Sequence, residues 1–358
     1  MWHIHVFRCV GERDSPRWSR QDRVDPVRAL EQVAFELERA GEPSYRVRAF
    51  RKAAEVIAAV PVDRVAHMVR MGTLTKLPGI GKSTAGVIAN AVRGEPISYL
   101  EKAAQTAGPD LSGGAALRAS LRGDCHTHSD WSDGGSPPDV MARAARDLGH
   151  EWIALTDHSP RLTVANGLTA ERLHRQLDVV AEVNASMAPF RVLTGIEVDI
   201  LLDGSLDQSP DLLDRLDVVV ASVHSKLRMP AVEMTPRLLA AVANPHVTVL
   251  GHCTGRLVTG RGRPESEFDA EAVFAACRDH NVAVEINSRP ERLDPPLRLL
   301  RLAADLGCLF AIDTDAHAPG QLTWQPLGCA RAEQVGITAD RVINTWPADE
   351  LLAWSRRR

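Results

Sequence analysis

Apolar residues recur every three or four positions through the first third of the chain, which is the spacing of one face of a helix. Val27, Leu30, Val33 and Leu37 show this pattern in the first such segment. Five helices are predicted on this basis, over residues 26–40, 45–60, 62–71, 82–93 and 96–107. This part of the chain therefore predicts a small all-helical domain.

The rest of the chain follows a different pattern, in which short β-branched apolar runs alternate with helix-length segments. Strands are predicted at residues 124–128, 152–156, 191–198, 216–223, 247–250, 282–286 and 309–312. Helices are predicted between them at residues 137–148, 169–186, 235–243, 269–280 and 295–306. Alternating strands and helices predict an α/β fold built on a parallel sheet, either open or closed into a barrel.

Turn residues indicate the domain limits. The segment that begins at Gly108 is rich in turn residues and lacks periodicity. Residues 108–121 are therefore predicted to be a linker between a helical domain at 23–107 and an α/β domain at 122–358. Residues 1–22 lack the long apolar stretch and the cleavage site of a signal peptide, and they are predicted to be a disordered leader.

The composition is that of a globular protein, with 44% hydrophobic and 25% charged residues. No apolar run approaches the roughly 18–20 residues that cross a bilayer, so no membrane partner is predicted. The six cysteines are scattered without a CxxC pair. This favours reduced thiols in a cytoplasmic protein over disulfides or a thiolate zinc site.

The net charge of −4 conceals an uneven distribution. Residues 23–107 carry 13 lysines and arginines against 9 acidic residues, a net of +4, which leaves −8 on the remainder. The basic segment at 23–107 favours a polyanionic partner, and the acidic remainder of the chain favours the binding of cations. An excess this small is equally typical of ordinary solvated helices.

Side chains of metal-binding types stand at the end of nearly every predicted strand. They are His126, His128, His158, Glu197, His224, His252, Asp315 and His317. In a parallel barrel the carboxyl ends of all strands open on one rim, so these side chains are expected to converge. Six of the 13 histidines fall at this topological position. The other seven are predicted to be structural or on the surface: His3, His5, His67, His150, His174, His246 and His280.

The spacing of these side chains points to the same kind of site. Residues i and i+2 of an extended strand point the same way, so His126 and His128 can hold one ion, and the same is expected of Asp315 and His317. Imidazole and carboxylate without thiolate suit zinc, manganese or iron. A carboxylate such as Glu197 can bridge two ions that bind a phosphate and activate water. A structural metal site is the alternative, although such sites are usually thiolate-rich.

One long string closely resembles the PHP superfamily, named after polymerases and histidinol phosphatase. The string is Asp124-Cys-His126-Thr-His128-Ser129-Asp130-Trp-Ser132-Asp133-Gly134, followed later by TDH, GIE, SVHS, GH and DTDAH. The resemblance covers residues 122–345 and implies a distorted (β/α)7 barrel that holds three divalent metal ions and hydrolyses phosphate esters. The implied ligands are His126, His128, Glu197 and Asp315 for one ion, Glu197, His224 and His252 for a second, and Asp133, His158 and His317 for the third.

Shorter strings resemble the PHP domain of bacterial family X DNA polymerases, namely SVHSK, GHCTGR, EINSRP and RLD. That resemblance implies a phosphodiesterase that processes DNA 3′ ends. Arg256, Arg289 and Arg292 lie near ligand-bearing strand ends and could pair with phosphate oxygens, or equally form structural salt bridges. Histidinol phosphatases share the metal ligands, so a small-molecule phosphatase is one alternative. A non-catalytic DNA-binding adaptor with a structural metal site is a second.

The string LPGIGKSTA at residues 77–85 resembles the helix-hairpin-helix motif. Its two glycines would form the hairpin, and the free N–H groups at the start of the next helix suit a backbone phosphate. The string SYRVRAFRK at 44–52 also resembles family X polymerases. The predicted DNA contacts are Gly79, Gly81, Lys82, Ser83, Thr84, Arg46 and Arg48. Phosphates carry no base information, so the predicted partner is DNA of any sequence. A plain αα-hairpin is the alternative.

Two features depart from the family X pattern. The chain passes from one domain to the next across residues 108–121, with no nucleotidyl-transfer domain between them. Relatives with lyase activity carry a Schiff-base lysine six residues after the last glycine of the motif, where this chain has Val87, which cannot form an imine. Neither lyase activity by that route nor any oligomeric state is predicted.

Overall fold

The computed structural model describes residues 25–356. The chain separates into two compact units, the first ending at Ala107 and the second beginning at Gly108. We call them the helical unit and the barrel unit. The predicted leader, residues 1–22, lies outside the described residues.

Five helices form the described part of the helical unit, and a short 3₁₀ turn precedes the fourth. They are α1 (Pro26–Arg39), α2 (Ser44–Ala58), α3 (Val62–Met71), α4 (Lys82–Arg93) and α5 (Ser98–Gln105). Asp25 caps α1 by accepting a hydrogen bond from the N–H of Val27. The apolar faces meet in one core, where Leu30, Phe50 and Ile88 are at most 2% exposed. The all-helical domain predicted from the periodicity is confirmed.

Seven parallel strands form the sheet of the described barrel unit, paired in sequence order. They are β1 (Gly123–Thr127), β2 (Trp152–Leu155), β3 (Arg191–Asp199), β4 (Val218–Ser222), β5 (Val249–Leu250), β6 (Ala283–Asn287) and β7 (Phe310–Asp313). The first and last strands also approach each other, because Thr127 pairs with Ala316 just beyond β7. The sheet is therefore nearly closed, which confirms the predicted distorted seven-stranded barrel.

Helices flank this sheet, most of them on its outside. They are α6 (Ala115–Ser120), α7 (Pro138–Asp147), α8 (Ala170–Met187), α9 (Pro210–Leu213), α10 (Ala231–Val242), α11 (Ala270–Asp279), α12 (Leu297–Asp305), α13 (Gln325–Gln334) and α14 (Ala348–Ser355). Side chains alternate across each strand, so Val219 packs with Phe274 of α11 in the outer layer, whereas Val220 belongs to the inner layer. Leu351 of α14 packs with the inner layer.

The segment predicted to be a linker is partly helical. Ala115–Ser120 forms α6, and Leu117 is buried in the core of the barrel unit. Gly114 has a φ of +74°, and a Cβ there would lie 2.4 Å from the backbone nitrogen of Ala330. The glycine therefore permits close approach of two backbones, a role that a glycine-rich sequence does not distinguish from that of a flexible linker.

No helix in the described part of the chain is both long enough and apolar enough to cross a membrane. The cysteines described by the structure are all buried free thiols: Cys125, Cys253, Cys277, Cys308 and Cys329. None of them lies among the metal-ligand types at the strand ends, so the ligand set there consists of imidazoles and carboxylates.

Candidate metal centre

The carboxyl ends of the strands bring all nine predicted ligands together. Seven of them form three overlapping groups, and within each group the ligand atoms all lie within 4.8 Å of one another. The groups are His128, Asp133, His158 and His317; His126, His128 and Glu197; and His158, Glu197 and His224. His252 and Asp315 contact members of these groups. We call the nine side chains the strand-end cluster. Most of them are buried, although charged and polar groups are normally excluded from a protein interior unless paired.

Glu197 of β3 lies at the middle of the strand-end cluster. Its Oε2 lies 3.3 Å from the Nε2 of His126 and 3.6 Å from that of His128. Its Oε1 lies 3.2 Å from the Nε2 of His224 and 2.9 Å from that of His252. The Nδ1 of His158 also lies 2.8 Å from Oε2, so Oε1 faces two imidazoles and Oε2 faces three, an arrangement that suits a carboxylate bridging metal ions.

Two aspartates complete the cluster. The Oδ1 of Asp315 lies 3.5 Å from the Nε2 of His128, the same nitrogen that lies 3.6 Å from the Oε2 of Glu197. The Oδ1 of Asp133 lies 3.5 Å from the Nε2 of His158 and 3.3 Å from that of His317. Asp133 and its two histidines form a third group of ligand atoms, with an acceptor between two ring nitrogens.

The spacing of these atoms fits divalent ions. Two ligands bound to one tetrahedral zinc ion at about 2.0–2.1 Å are about 3.3 Å apart. The Nε2 atoms of His126, His128 and His224 are buried and have no hydrogen-bond partner. A buried polar atom without a partner costs free energy, and a bound cation removes that cost. The donor set, imidazole and carboxylate without thiolate, suits zinc, manganese or iron.

Two further carboxylates orient the cluster, and the sequence analysis did not assign them. The Oε1 of Glu285 lies 2.6 Å from the Nδ1 of His126, and Asp199 pairs in the same way with His224. Each carboxylate fixes one ring nitrogen so that the other faces the cluster. A signal for them was present in the sequence, because Glu285 interrupts the apolar strand β6 and Asp199 stands two positions after Glu197.

The loop after β1 places Asp133 by means of a buried aspartate. Asp157 accepts hydrogen bonds from the N–H and the hydroxyl of Ser129, at 2.9 and 2.6 Å. It also accepts one from the side chain of Gln176 at 2.6 Å. A Cβ on Gly134 would lie 2.6 Å from the carbonyl oxygen of Ser129, so only glycine fits this tight turn. The turn carries Asp133 into the cluster.

Asp315 corrects one step of the sequence argument. An extended i and i+2 pair was expected for Asp315 and His317, but β7 ends at Asp313 and Asp315 has a φ of +52°. Its Oδ2 is instead held by Asn287 at 3.2 Å and Arg292 at 3.1 Å. These contacts direct Oδ1 toward the histidines. A non-glycine residue with positive φ is strained, and such strain is typical of functional sites.

Electrostatics keep some of the central groups in the forms that bind cations and favour the protonated form of others. Burial would lower the pKa of His126 and of His224, but Glu197 raises the first well above its usual value and the second to about 9, so metal binding there releases a proton. Burial would raise the pKa of Glu197, but His224, His126 and His158 lower it well below its usual value. Burial and the neighbouring His317 and His158 lower the pKa of His128 well below its usual value. At neutral pH Glu197 is therefore an anion and His128 a neutral imidazole, as metal ligation requires.

Arg289 and Arg292 line the cavity at the cluster, which has a volume of about 400 Å³. The guanidinium of Arg289 lies 2.9 Å from His317 and 3.2 Å from the carbonyl oxygen of Asp315. Arg292 is mostly buried, and its Nη1 has no hydrogen-bond partner. A buried, unpartnered N–H at an opening lined by metal ligands suits an anionic ligand such as a phosphate oxygen.

Arg256, the third predicted arginine, does not line the cavity that contains Arg289 and Arg292. Its Nε donates to the carbonyl oxygen of Arg292 at 3.1 Å, its Nη2 donates to that of Leu293, and Glu265 lies 3.7 Å away. It lines a different cavity from the one at the cluster. The guanidinium is therefore used to hold the turn at Leu293, which has a φ of +45°. A sequence does not show that an arginine will donate its hydrogen bonds to backbone carbonyl oxygens.

The remaining histidines of the described residues lie outside the cluster. His150 is buried, and burial and then Arg118 lower its pKa to about 3. His246 pairs with Asp214 at 2.8 Å. His67, His174 and His280 are exposed. His3 and His5 fall outside the described residues.

The hairpin of the helical unit presents a different kind of surface. Gly79 has a φ of +88°, and a Cβ there would lie 3.2 Å from Cγ of Lys52. Gly81 caps α4, and it is exposed together with Lys82 and Ser83. The first N–H groups of α4 therefore begin at an open surface, as a phosphate contact requires.

Two predicted DNA contacts are used elsewhere. Thr84 is 3% exposed, and its hydroxyl accepts a hydrogen bond from the N–H of Gly81, so it stabilises the start of α4. Arg46 forms an ion pair with Glu42 and a hydrogen bond with Tyr99 at 3.2 Å. A threonine at the third position of a helix and an arginine four residues from a glutamate both have local partners, which compete with a contact to DNA.

Two other side chains of the helical unit bear on the predicted activities. Arg48 is exposed, and so is Lys52, which the sequence analysis did not include among the contacts. They are four residues apart on α2, and Lys52 adjoins Gly79, so both lie on the side of α2 that carries the hairpin. Val87 is 1% exposed in the helical core, so its position offers no surface for covalent chemistry.

Comparison with known proteins agrees with this arrangement. Residues 22–95 match a helix-hairpin-helix domain, and residues 124–289 match a PHP domain. DNA polymerase/3'-5' exonuclease PolX of Bacillus subtilis is 39% identical over 237 residues, which are 66% of this chain and 41% of that protein. The chain thus spans less than half of that relative's length.

Other relatives match over most of their own length. A probable phosphatase of Caldicellulosiruptor saccharolyticus is 30% identical over 201 residues, 54% of this chain and 78% of that protein. A solved histidinol phosphate phosphatase from Lactococcus lactis, complexed with zinc, L-histidinol and phosphate, is 18% identical with a TM-score of 0.45, covering 61% of this chain and 95% of that chain. The latter similarity is too low to bear on the substrate. The chain belongs to the PHP family and is a metal-binding hydrolase of phosphate ester bonds, with a helix-hairpin-helix domain before its PHP domain.

Proposed function

We propose that this protein is a metal-dependent DNA phosphodiesterase that processes 3′ ends in repair. The observation that carries the proposal is the joint presence of the strand-end cluster, Arg289 and Arg292 in one cavity, in a chain that also presents an exposed helix-hairpin-helix surface. The PolX relative, named as a 3'-5' exonuclease, supports the same class of reaction. The scattered buried thiols support a cytoplasmic location.

Three divalent ions, of zinc, manganese or iron, are proposed to occupy the strand-end cluster. His126, His128, Glu197 and Asp315 would hold the first, Glu197, His224 and His252 the second, and Asp133, His158 and His317 the third. Such ions lower the pKa of bound water and stabilise charge on phosphoryl oxygens. Glu285 and Asp199 would keep the ligating rings in position, since each is paired with a ring nitrogen that faces away from the cluster.

The arginines act on the substrate in this proposal. Arg292 offers an unpartnered Nη1 inside the cavity, and Arg289 is half-buried beside it. Both would donate hydrogen bonds to non-bridging phosphate oxygens and stabilise the charge that develops on them during hydrolysis. Asp315 holds Arg292 through its Oδ2, so the same carboxylate aligns the arginine and faces the histidines.

The helical unit would hold the DNA backbone. The N–H groups at the start of α4, together with Lys82 and Ser83, are exposed and suit a phosphate. Arg48 adds positive charge beside the hairpin, and so does Lys52, whose ammonium group also forms an exposed ion pair with Glu55 at 2.8 Å. Contacts of this type do not depend on base sequence, which fits an enzyme that acts on ends wherever they arise.

The test is a nuclease assay on 3′-blocked, nicked and abasic DNA with Mn²⁺ or Zn²⁺. We expect shortening or unblocking of the 3′ end by the wild type. The variants His126→Ala and Asp315→Ala should lose cleavage and retain DNA binding. Absence of cleavage with every metal, in protein that carries bound metal, would contradict the proposal.

A small-molecule phosphatase is the second candidate. It is favoured by the 30% identity with a probable phosphatase over 78% of that protein and by the small volume of the cavity, about 400 Å³. Histidinol phosphate and a 3′-phosphorylated oligonucleotide offered to one preparation distinguish the two. A specificity constant higher for histidinol phosphate would favour the second candidate.

A further inference from the structure

The cavity at the strand-end cluster has an apolar part that phosphate binding does not explain. Leu162, Val164 and Ala165 from the loop between β2 and α8 line it, and so does Leu257 from the loop after β5. We call these four side chains the apolar rim. Arg289, Glu291 and Arg292, from the loop after β6, line the same cavity. One cavity therefore combines a cluster suited to cations, two guanidinium groups and an aliphatic surface.

Val164 is 92% exposed, although it lines the cavity. The loop that carries it is held by its own hydrogen bonds, because the N–H groups of Ala165 and Gly167 both donate to the carbonyl oxygen of Leu162, at 3.0 and 3.2 Å. A Cβ on Gly167 would lie 1.9 Å from the carbonyl oxygen of Ser159, so the loop returns tightly on itself. The exposure of Val164 is thus built into a folded turn.

Leu257 is fixed as well. Its N–H donates to the carbonyl oxygen of Arg263 at 3.0 Å, and the Arg263 N–H donates back at 2.9 Å. The neighbouring Val258 N–H donates to the carbonyl oxygen of Glu291 at 2.7 Å. This last bond ties the loop after β5 to the loop that carries Arg289 and Arg292. The apolar and cationic parts of the cavity are therefore held in a fixed relation.

We propose that the apolar rim binds the deoxyribose and base of the nucleotide whose phosphate is hydrolysed. The inference rests on the proposed function and specifies its substrate. A single exposed valine is ordinary, but four apolar side chains around a phosphate-binding cavity suit an organic group attached to that phosphate. Aliphatic side chains offer no hydrogen bonds to base edges. They bury the flat face of any base equally, which agrees with a nuclease that ignores sequence.

The test compares two esters that differ in the organic group. One is the p-nitrophenyl ester of thymidine 5′-monophosphate and the other is methyl p-nitrophenyl phosphate. Val164→Ser removes apolar contact from the rim without disturbing the core. Val232→Ser is the matched control, because Val232 is 80% exposed on α10 and does not line this cavity.

We expect Val164→Ser to lower kcat/KM for the thymidine ester about fivefold to tenfold, mainly through KM, and to leave the methyl ester within about twofold. Val232→Ser should match the wild type with both esters. Equal losses on both esters, no loss with Val164→Ser, or a wild type that shows no preference for the thymidine ester would each overturn the proposal.

The outcome is separable from that of the proposed function. Suppose that the wild type shortens DNA and that Val164→Ser hydrolyses both esters as Val232→Ser does. The apolar rim is then not a nucleoside site, and the proposed nuclease activity stands. A wild type that leaves DNA unchanged, with a selective Val164→Ser loss on the thymidine ester, contradicts the DNA substrate and upholds the nucleoside site. Hydrolysis of neither ester by protein that shortens DNA overturns the nucleoside site alone, and failure on both esters and on DNA overturns both proposals.

Discussion

The two units of the chain differ in where they keep their polar groups. The barrel unit buries His126, His128, Glu197 and Asp315, each at most 1% exposed. The core of the helical unit is apolar by comparison, and its buried carboxylate, Glu38, is paired with a guanidinium. The barrel interior thus gathers several imidazole nitrogens without hydrogen-bond partners, which a bound ion would satisfy, whereas the corresponding atom in the described part of the helical unit is the Oε1 of Gln32. Function is therefore expected inside the barrel unit and on the surface of the helical unit.

The largest expected effect concerns the residue at the middle of the buried cluster. Glu197→Gln removes the anion that faces five imidazoles, so bound metal and phosphodiesterase activity should fall together, activity by at least about 10³-fold. Elemental analysis and turnover of a chromogenic phosphodiester measure the two. Glu182→Gln, at an exposed position on α8, is the control and should behave as the wild type. A Glu197→Gln variant with full activity would refute the bridging role.

Arg292 separates substrate binding from metal binding within the same cavity. Arg292→Met should lower kcat by about 10²-fold, because a charge-assisted contact to the phosphate is lost, while metal content stays near that of the wild type. The exposed Arg301 of α12 provides the matched control, Arg301→Met. Loss of metal in proportion to activity would show instead that Arg292 acts only by holding Asp315.

The orienting carboxylates should have an intermediate effect. Glu285→Gln removes the charge that pairs with the Nδ1 of His126 and should weaken metal affinity by about 10-fold to 100-fold. Activity should return when the metal concentration is raised. A competition titration with a metal-binding dye measures the affinity. Activity that stays low at saturating metal would assign Glu285 a different role.

The smallest effects are expected on the surface of the helical unit, where the two hairpin glycines differ. Gly79→Ala should destabilise the hairpin by about 1–2 kcal/mol, because its φ of +88° disfavours a side chain. Gly81→Ala meets no neighbour within 4 Å and should destabilise the hairpin less than Gly79→Ala, by the loss of a good N-cap residue alone, yet weaken DNA binding about fivefold by obstructing the phosphate. Thermal unfolding and fluorescence anisotropy report the two quantities. Unchanged anisotropy for Gly81→Ala would argue against the hairpin as the DNA contact.

The same contrast explains what the sequence could predict. Strand-end positions follow from chain order alone in a parallel barrel, so His126, Glu197 and His252 could be placed together before their distances were seen. Partners could not be predicted in this way. Arg256 donates hydrogen bonds to backbone carbonyl oxygens, and the Thr84 hydroxyl accepts one from the N–H of Gly81. Such contacts depend on the geometry of turns, which the residue types alone do not predict.

Backbone conformation accounts for the other differences. The left-handed backbone of Asp315 departs from the extended pair expected of it, although its side chain still reaches the histidines. Gly114 looked like part of a linker because glycine permits both flexibility and close packing. Glu285 and Asp199 were missed because a single acidic residue in an apolar strand was not considered as a partner for a ligating ring.

Metal titration of the stripped protein is the most direct test of the account. The protein, freed of metal with a chelator, should be inactive toward a chromogenic phosphodiester and should regain turnover as Mn²⁺ or Zn²⁺ binds. Glu197→Gln, measured in parallel, should bind less metal and regain little turnover. Stripped protein that retains full activity, or protein that binds metal without gaining any turnover, would contradict the claim that the strand-end cluster holds the ions that hydrolyse phosphate esters.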